Sequence, residues 1–304
     1  MSRVFTPTVP IMIGAARPSI RKVHFIEVGP RDGLQNETKV LDIYQKQELI
    51  TALHQCGIRH IEAGSLVNYR KVPTMRGTRE VLANIGSSVQ ATLGVLVPHV
   101  KELETLPPNA NEIVLFVSAS NTFNARNIGT DIEGAFERFG QIKEYISKNF
   151  GTKPLQIRGS ISCCWGCPYE GETEISKILS IIERYLDLGA TTIDICDTIG
   201  VATPLSTRGL LQEIFERFST SNFSLHLHDT NGQAIDCALE GVSMGISTVQ
   251  GSVGGIGGCP FSSKRVGNVD SVSLLKKLEE AGYETGVDTY ALSNVKQWIL
   301  KQLK

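Results

Sequence analysis

Residues 224–228 read Ser224-Leu225-His226-Leu227-His228, an alternation of polar and apolar residues that predicts a β-strand. Side chains alternate between the two faces of a strand, so the two histidines point the same way. Short apolar runs of similar length recur along the whole chain. We predict strands at 23–28, 58–62, 90–97, 112–117, 155–162, 191–195, 224–228 and 248–251.

Amphipathic stretches separate these runs and predict helices. They lie at 43–56, 74–84, 100–105, 132–149, 174–188, 204–218, 233–244 and 269–281, and one more follows at 288–303. Strands that alternate with helices indicate a parallel sheet with right-handed crossovers. Eight such units predict an α/β fold, a (β/α)8 TIM barrel in a single domain with an extra C-terminal helix.

An open, doubly wound sheet is the alternative to this barrel. Such a sheet usually has a glycine-rich phosphate-binding turn after its first strand. This chain has Gly29-Pro30-Arg31-Asp32-Gly33 there instead, which favours the barrel.

Composition narrows the class of protein. The chain has 304 residues, 41% of them hydrophobic, and a net charge of −1. A near-neutral chain does not indicate a nucleic-acid or membrane partner, and no apolar run reaches the roughly 20 residues that span a bilayer. Seven cysteines, an odd number, indicate free thiols in a reducing compartment, so we expect a cytoplasmic protein.

The first 22 residues differ from the rest of the chain because they contain basic residues and no acidic one. That composition resembles an organelle transit segment. The alternative, which we favour, is a disordered or draped arm that contains Pro7, Pro10 and Pro18. We therefore divide the chain into an N-terminal arm, 1–22, and a TIM-barrel catalytic domain, 23–304.

Polar residues cluster where the predicted strands end, which is where the active sites of such barrels lie. They are Arg31, Asp32, Glu62, Asp197, His226, His228 and Asn268. Two imidazoles with a carboxylate and an amide oxygen suit Mg²⁺, Mn²⁺, Co²⁺ or Zn²⁺. The sequence therefore predicts a metal site made by Asp32, His226, His228 and, less clearly, Asn268. By itself, a His-x-His pair is also common at ordinary polar strand positions.

Two further groups could act beside such a metal. Arg31 is a permanent cation that can stabilise a developing oxyanion. A loop at 251–260 contains five glycines and ends near Cys259, which could serve as an acid on a closing loop. The alternative for Cys259 is a buried structural thiol in a tight turn.

The remaining candidates carry weaker signals. Glu62 and Asp197 could hold Arg31 or a ligand histidine in place, or could cap the helices that follow them. Gln35 and Asn36 could bind a substrate carbonyl, or could only shape the turn. With Ser162 they form our candidate substrate-binding set.

Several stretches resemble one family closely. Val28-Gly29-Pro30-Arg31-Asp32-Gly33-Leu34-Gln35-Asn36-Glu37 is similar to the opening motif of 3-hydroxy-3-methylglutaryl-CoA (HMG-CoA) lyases, which are metal-dependent TIM-barrel enzymes. Further similar stretches, in family order, are Cys163 with 166–171, 197–200, 226–230, 255–260 and 267–268. They cover nearly the whole chain beyond the arm.

The resemblance implies a metal-dependent carbon–carbon lyase that splits HMG-CoA into acetoacetate and acetyl-CoA by a retro-Claisen step. Mg²⁺ or Mn²⁺ would be held by Asp32, His226, His228 and Asn268. The resemblance also implies an acyl-CoA substrate and a homodimer.

The same resemblance implies roles for individual groups. Asp32 or His226 would take the proton of the substrate hydroxyl. Arg31 would stabilise the acetyl-CoA enolate, and Cys259 would protonate it.

Departures from the family pattern fall where the pocket should be. Familiar lyases have Thr-Thr-Ser-Phe after the glutamate of strand two, where this chain has Ala63-Gly64-Ser65-Leu66. They have tyrosine at the positions of Ser160 and Asn231, and the residues at 269–273 also differ. We therefore expect that a larger or differently shaped 3-hydroxyacyl thioester could be the true substrate.

Two other interpretations remain open. A related barrel could run the condensing direction, joining an acyl thioester to a keto acid, although the loop with Cys259 favours cleavage. A barrel that binds metal without turnover would have lost a ligand or the acid, and none is missing from this sequence.

Overall fold

The computed structural model describes residues 21–151, 155–258 and 267–304. Its strands are β1 (Arg21–Lys22), β2 (His24–Glu27), β3 (His60–Ser65), β4 (Thr92–Leu96), β5 (Glu112–Ser118), β6 (Gln156–Ser162), β7 (Thr192–Asp197), β8 (Phe223–Leu227), β9 (Thr248–Gly251) and β10 (Tyr283–Glu284). Strands β2 to β9 pair in parallel and in sequence order, and β9 pairs with β2 to close the barrel. The predicted (β/α)8 fold is confirmed.

Helices surround this barrel. They are α1 (Ile43–Gln55), α2 (Thr78–Ile85), α3 (Asn121–Asn127), α4 (Ile132–Asn149), α5 (Ile175–Leu188), α6 (Pro204–Phe215), α7 (Ala234–Ser243), α8 (Ser271–Glu280) and α9 (Thr289–Gln302). Side chains cap several of their N-termini, and Asp42 with Gln45 forms a capping box at the start of α1. The extra C-terminal helix is α9, which bonds to α1 through Gln45 and Gln302.

Two predicted helices differ from the structure. The segment Val100–Thr105 is a 3₁₀-helix rather than an α-helix, and the predicted 74–84 helix begins only at Thr78, after a 3₁₀ turn. A short helix, α3, was not predicted. Ser120 starts it by accepting a hydrogen bond from the backbone of Phe123.

The ends of the described chain meet beside the barrel. Strand β1 pairs in parallel with β10, Arg21 opposite Tyr283 and Lys22 opposite Glu284. Residues 1–20 of the predicted arm lie outside the described residues, so the division at residue 22 stays a prediction. Among the described helices, none has both the length and the apolarity needed to cross a membrane.

The interior of the barrel is charged, whereas such barrels are usually filled by branched apolar side chains. Arg158 on β6 is completely buried among carboxylates. Gly94 on β4 makes room for one of them, because a Cβ at this position would lie 2.5 Å from Glu112 Oε1. This buried charge lies directly beneath the C-terminal ends of the strands.

Candidate metal centre and active site

Three predicted ligands converge at the C-terminal end of the barrel. Asp32 lies in the π-helical turn after β2, and His226 and His228 lie at the end of β8. Asp32 Oδ2 is 3.8 Å from His226 Nε2 and 3.7 Å from His228 Nε2. These separations are too long for hydrogen bonds, and they suit donors that share one ion with bonds of about 2.1 Å.

Asn268 completes the group. Its Nδ2 donates to Asp32 Oδ2 at 2.9 Å and to the backbone oxygen of Ile256 at 3.2 Å. Its Oδ1 is buried and has no hydrogen-bond partner among the residues that the structure describes. A buried carbonyl oxygen without a partner is costly, and a bound cation would satisfy it. The residues present therefore fit a hard divalent metal.

Each histidine is held through its other ring nitrogen. His228 Nδ1 lies 2.9 Å from the backbone oxygen of Asp197, and His226 Nδ1 lies 3.0 Å from Gln250 Oε1. Both contacts are to acceptors, so a proton on Nδ1 leaves the Nε2 lone pair facing Asp32. Asp197 thus contacts His228 through its backbone, while its carboxylate accepts from the N–H groups of Val201 and Ala202.

Arg31 bridges two carboxylates beside the ligands. Its Nη1 donates to Asp32 Oδ1 at 2.5 Å, and its Nε donates to Glu62 Oε1. Burial raises the pKa of Asp32, but the charge of Arg31 and the proximity of His228 and His226 outweigh burial and hold that pKa well below its usual value. Asp32 is therefore ionised at neutral pH, as a metal ligand must be.

The charged interior continues below this group. Glu62 Oε2 accepts from Arg158 Nη2 at 2.7 Å, and Glu112 Oε1 accepts from Arg158 Nε at 3.0 Å. Arg158 Nη1 donates to Asp194 Oδ2 at 2.6 Å. Although burial raises the pKa of Glu112, the charges of Arg158 and His60 lower it to about 2.

The charges of this interior do not balance among themselves. Four carboxylates meet two guanidiniums, which leaves two negative charges when His60 is left aside. The members are Asp32, Glu62, Glu112, Asp194, Arg31 and Arg158. A divalent cation at the ligand group would neutralise this excess, and buried charge without a counter-charge is unfavourable.

A cavity of about 720 Å³ opens above the ligands. The candidate substrate residues Gln35, Asn36 and Ser162 line it, and so do Arg31 and Asp32. Asn36 also joins two loops, because its Nδ2 donates to the backbone oxygen of Gly258 at 2.6 Å. The proposed acid, Cys259, is the next residue and lies outside the described part of the chain.

Comparisons with known proteins agree with the family resemblance of the sequence motifs. The model of the HMGL-like family matches residues 22–299. The chain belongs to this family. It is 38% identical to the cytoplasmic 3-hydroxy-3-methylglutaryl-CoA lyase of Danio rerio, an alignment that covers 92% of this chain and 83% of that one. It is 35% identical to the 3-hydroxy-3-isohexenylglutaryl-CoA/hydroxymethylglutaryl-CoA lyase of Pseudomonas aeruginosa, over 92% of both chains.

A solved structure agrees with this membership. The HMG-CoA lyase of Bacillus subtilis superimposes with a TM-score of 0.88 at 32% identity, covering 93% of this chain and 94% of that one. The resemblance predicted from the motifs is therefore confirmed at the level of the family.

Sequence reasoning missed much of what supports the ligands in this HMGL-like barrel. Arg158, Asp194, Ser224 and Gln250 are buried polar residues in the middle of strands. A signal was present, because Arg158, Ser160 and Ser162 alternate with other residues along β6 and must share the inner face. Polar residues at period two inside an otherwise buried strand indicate a polar barrel interior.

Proposed function

We propose that this HMGL-like protein cleaves HMG-CoA to acetoacetate and acetyl-CoA with the help of Mg²⁺ or Mn²⁺. The convergence of Asp32, His226, His228 and the unpartnered Asn268 Oδ1 beside Arg31 carries this proposal. When bound there, the metal supplies a Lewis acid that lowers the pKa of the substrate hydroxyl.

The two candidates for the base are Asp32 and His226. Burial lowers the pKa of His226 to about 4, so its imidazole is neutral at pH 7. Its Nδ1 lies against Gln250, which leaves Nε2 as the one atom for either a metal or a proton. Asp32 Oδ1 accepts from Arg31 and its Oδ2 accepts from Asn268, and the charge of Arg31 keeps the pKa of Asp32 low. Asp32 and His226 therefore both stay candidates for the group that removes the hydroxyl proton.

Arg31 is the cation for the enolate oxygen. Burial opposes its charge, but Glu62 and Asp32 raise its pKa further, so it stays protonated throughout the reaction. Glu62 is a positioning residue in this scheme, because it fixes the Nε side of the guanidinium. Cys259 would then protonate the enolate, and the bond from Asn36 to Gly258 would hold the start of its loop near the cavity.

The acyl-CoA reaches the ligands through the cavity, and Gln35, Asn36 and Ser162 would contact its acyl end. Basic side chains line the outer part of this cavity, namely Lys71, Lys101, Arg126 and Arg138. Such residues suit the phosphates of CoA. A cytoplasmic location and a homodimer belong to the same proposal, and the Danio rerio relative carries the cytoplasmic designation in its name.

A second candidate is a lyase for a larger 3-hydroxyacyl thioester. Ser160 lines the cavity and its Oγ lies 3.4 Å from Cys196 Sγ, so above Arg158 the inner face of β6 presents the small side chains of Ser160 and Ser162. The Pseudomonas aeruginosa relative is named for an isohexenyl substrate as well as HMG-CoA. A longer substituent at C3 could occupy this space.

A kinetic assay tests both candidates. The enzyme is supplied with Mn²⁺ and with HMG-CoA or longer 3-alkyl homologues, and acetyl-CoA release is measured. We expect kcat/KM on HMG-CoA of about 10⁴ M⁻¹s⁻¹ or more. A much lower value, with faster cleavage of a longer homologue, would favour the second candidate. Release of acetyl-CoA from neither, by a protein that binds Mn²⁺, would refute both.

A matched variant tests the acid. Cys259→Ala should bind Mn²⁺ as the wild type does and should lose activity by orders of magnitude. Unchanged turnover would exclude Cys259 from the chemistry while leaving the metal site in place.

A further inference from the structure

A chain of hydrogen bonds runs from Arg158 to His226 across the barrel interior. Arg158 Nη1 donates to Asp194 Oδ2 at 2.6 Å, and Ser224 Oγ donates to Asp194 Oδ1 at 2.5 Å. Gln250 Nε2 donates to Ser224 Oγ at 3.0 Å, and Gln250 Oε1 lies 3.0 Å from His226 Nδ1. All of these side chains are buried, and Asp194, Gln250 and His226 lie at the bottom of the cavity.

Arg158, the first member of this hydrogen-bond chain, determines which atom donates and which accepts in every following bond. A guanidinium only donates, and the carboxylate paired with it only accepts. Ser224 donates its single hydroxyl proton to Asp194, so the oxygen of Ser224 must accept from Gln250. The amide nitrogen of Gln250 therefore faces Ser224, and its oxygen faces His226. An acceptor at this position requires the proton on His226 Nδ1.

The opposite orientation of Gln250 does not close the chain. Its oxygen would then face the oxygen of Ser224, which has no proton left to donate. A buried acceptor without a partner is costly, so the chain has one stable sense while Asp194 is ionised.

We propose that Asp194, Ser224 and Gln250 are positioning residues that fix His226 as the Nδ1–H tautomer, with Nε2 free for the metal. His228 needs no such chain, because the backbone oxygen of Asp197 is an acceptor that cannot rotate. The proposal concerns the tautomer of the metal-free protein, and only its use for metal binding rests on the proposed function.

Arg158 thereby orients ligands on both sides of the site. One branch leads through Asp194 to His226, and the other leads through Glu62 and Arg31 to Asp32. Arg158 therefore sets which atom donates and which accepts along both branches.

The tautomer can be read directly by NMR. The full chain is labelled with [¹⁵N]histidine, kept free of metal, and studied by long-range ¹H–¹⁵N correlation near pH 7. The His226 signal is identified by its absence from His226→Gln. We expect the proton on Nδ1. A proton on Nε2 would mean that the chain runs in the opposite sense and would overturn the proposal, whatever the enzyme cleaves.

Variants test whether the chain is the cause. Gln250→Met removes both bonds, and we expect a mixture of tautomers at His226 and a fall in Mn²⁺ affinity of about tenfold or more. Ser224→Ala should shift both in the same direction by less. Gln250→Glu keeps an acceptor for Nδ1 and should keep the proton there, although it loses the hydrogen bond to Ser224 Oγ, so its stability should fall while the tautomer stays Nδ1–H.

Ser118→Ala is the matched control. Ser118 is a buried strand serine on β5 that donates to the backbone oxygen of Ser162, and its hydrogen bonds within the described residues include none to Arg158, Asp194, Ser224, Gln250 or His226. We expect this variant to keep both the tautomer and the Mn²⁺ affinity, measured by the EPR signal of free Mn²⁺. If Ser118→Ala changed the His226 tautomer and the Mn²⁺ affinity as much as Ser224→Ala, the hydrogen-bond chain would have only a structural role. The same would follow if Gln250→Met left the tautomer unchanged.

Discussion

We compare the barrel interior around Arg158, called the floor, with its C-terminal opening around Asp32 and Asn268, called the mouth. Both contain buried polar and charged side chains, and they differ in whether those side chains are paired. At the floor, the Nε, Nη1 and Nη2 atoms of Arg158 each donate to a carboxylate, from Glu112, Asp194 and Glu62 respectively, and only Glu112 Oε2 lacks a hydrogen bond within the described residues. At the mouth, Asn268 Oδ1 has no hydrogen-bond partner among the described residues, and Asp32 Oδ2 lies 3.7 Å or more from both imidazole Nε2 atoms. Three charged hydrogen bonds to one guanidinium stabilise the fold, whereas donor atoms that face one another without bonding suit a bound cation.

The largest expected effect comes from His228→Ala at the mouth. A Lewis acid contributes several kcal/mol to such chemistry, so losing a ligand should lower kcat/KM by about 10⁴-fold. The midpoint of urea unfolding of the metal-free protein should change little. Retention of a tenth of the activity would show that His228 is not a ligand.

At the floor, we expect a substitution to lower the stability of the fold. Arg158→Met removes one partner of a buried ion-pair network and should lower the free energy of unfolding by about 3–5 kcal/mol. Arg208→Met is the control, because Arg208 forms a half-exposed pair with Glu240 worth less than about 1 kcal/mol. Similar losses in the two variants, measured by urea unfolding, would remove the distinction between the floor and the surface.

Glu27 shows what burial does to a carboxylate without a cation. It accepts from the backbone of Gly29 and Val253 and from Ser271 Oγ, and burial raises its pKa to about 7. The folded protein therefore binds a proton that the unfolded chain releases near pH 4.5. The stability that Glu27 contributes is present below pH 4.5 and is lost as the pH rises through about 7.

Glu27→Gln does not titrate, so it should become more stable relative to the wild type across that window, by about 3 kcal/mol in total. Urea unfolding at several pH values measures the difference. The exposed Glu137→Gln serves as the control and should show no such trend. A difference that stays constant with pH would mean that Glu27 is ionised in the fold.

The smallest expected effect is that of the metal on stability. Mn²⁺ at 100 times its dissociation constant should raise the free energy of unfolding by about 2.7 kcal/mol, because it binds the folded mouth and balances the interior charge. His228→Ala should lose most of this increase. Equal stabilisation of both proteins would place the ion elsewhere.

The fold was predictable because its signals are local. The eight barrel strands and most helices were predicted from periodicity, and His226 and His228 share a face through spacing alone. The two-residue strands β1 and β10 were not predicted. The segment Val100–Thr105 was assigned the wrong kind of helix because six residues are too few to separate a 3₁₀ turn from an α-helix by pattern.

The support of the site was not predictable for the opposite reason. Arg158 and Glu62 are 96 residues apart in sequence and meet only when the barrel closes. Asp197 was assigned a role for its carboxylate, yet the atom that contacts His228 is its backbone oxygen, which every residue has. No residue type in the sequence could indicate that contact.

Because Gly94 has no side chain, a substitution at this position would affect residues that lie far from it in the sequence. A single methyl group there would press on Glu112 Oε1, which belongs to the neighbouring strand β5. Glu112 could move only by disturbing Arg158, and through it Glu62 and Arg31. A genetic screen would score such an allele as an active-site lesion, although Gly94 itself is not among the residues that line the cavity.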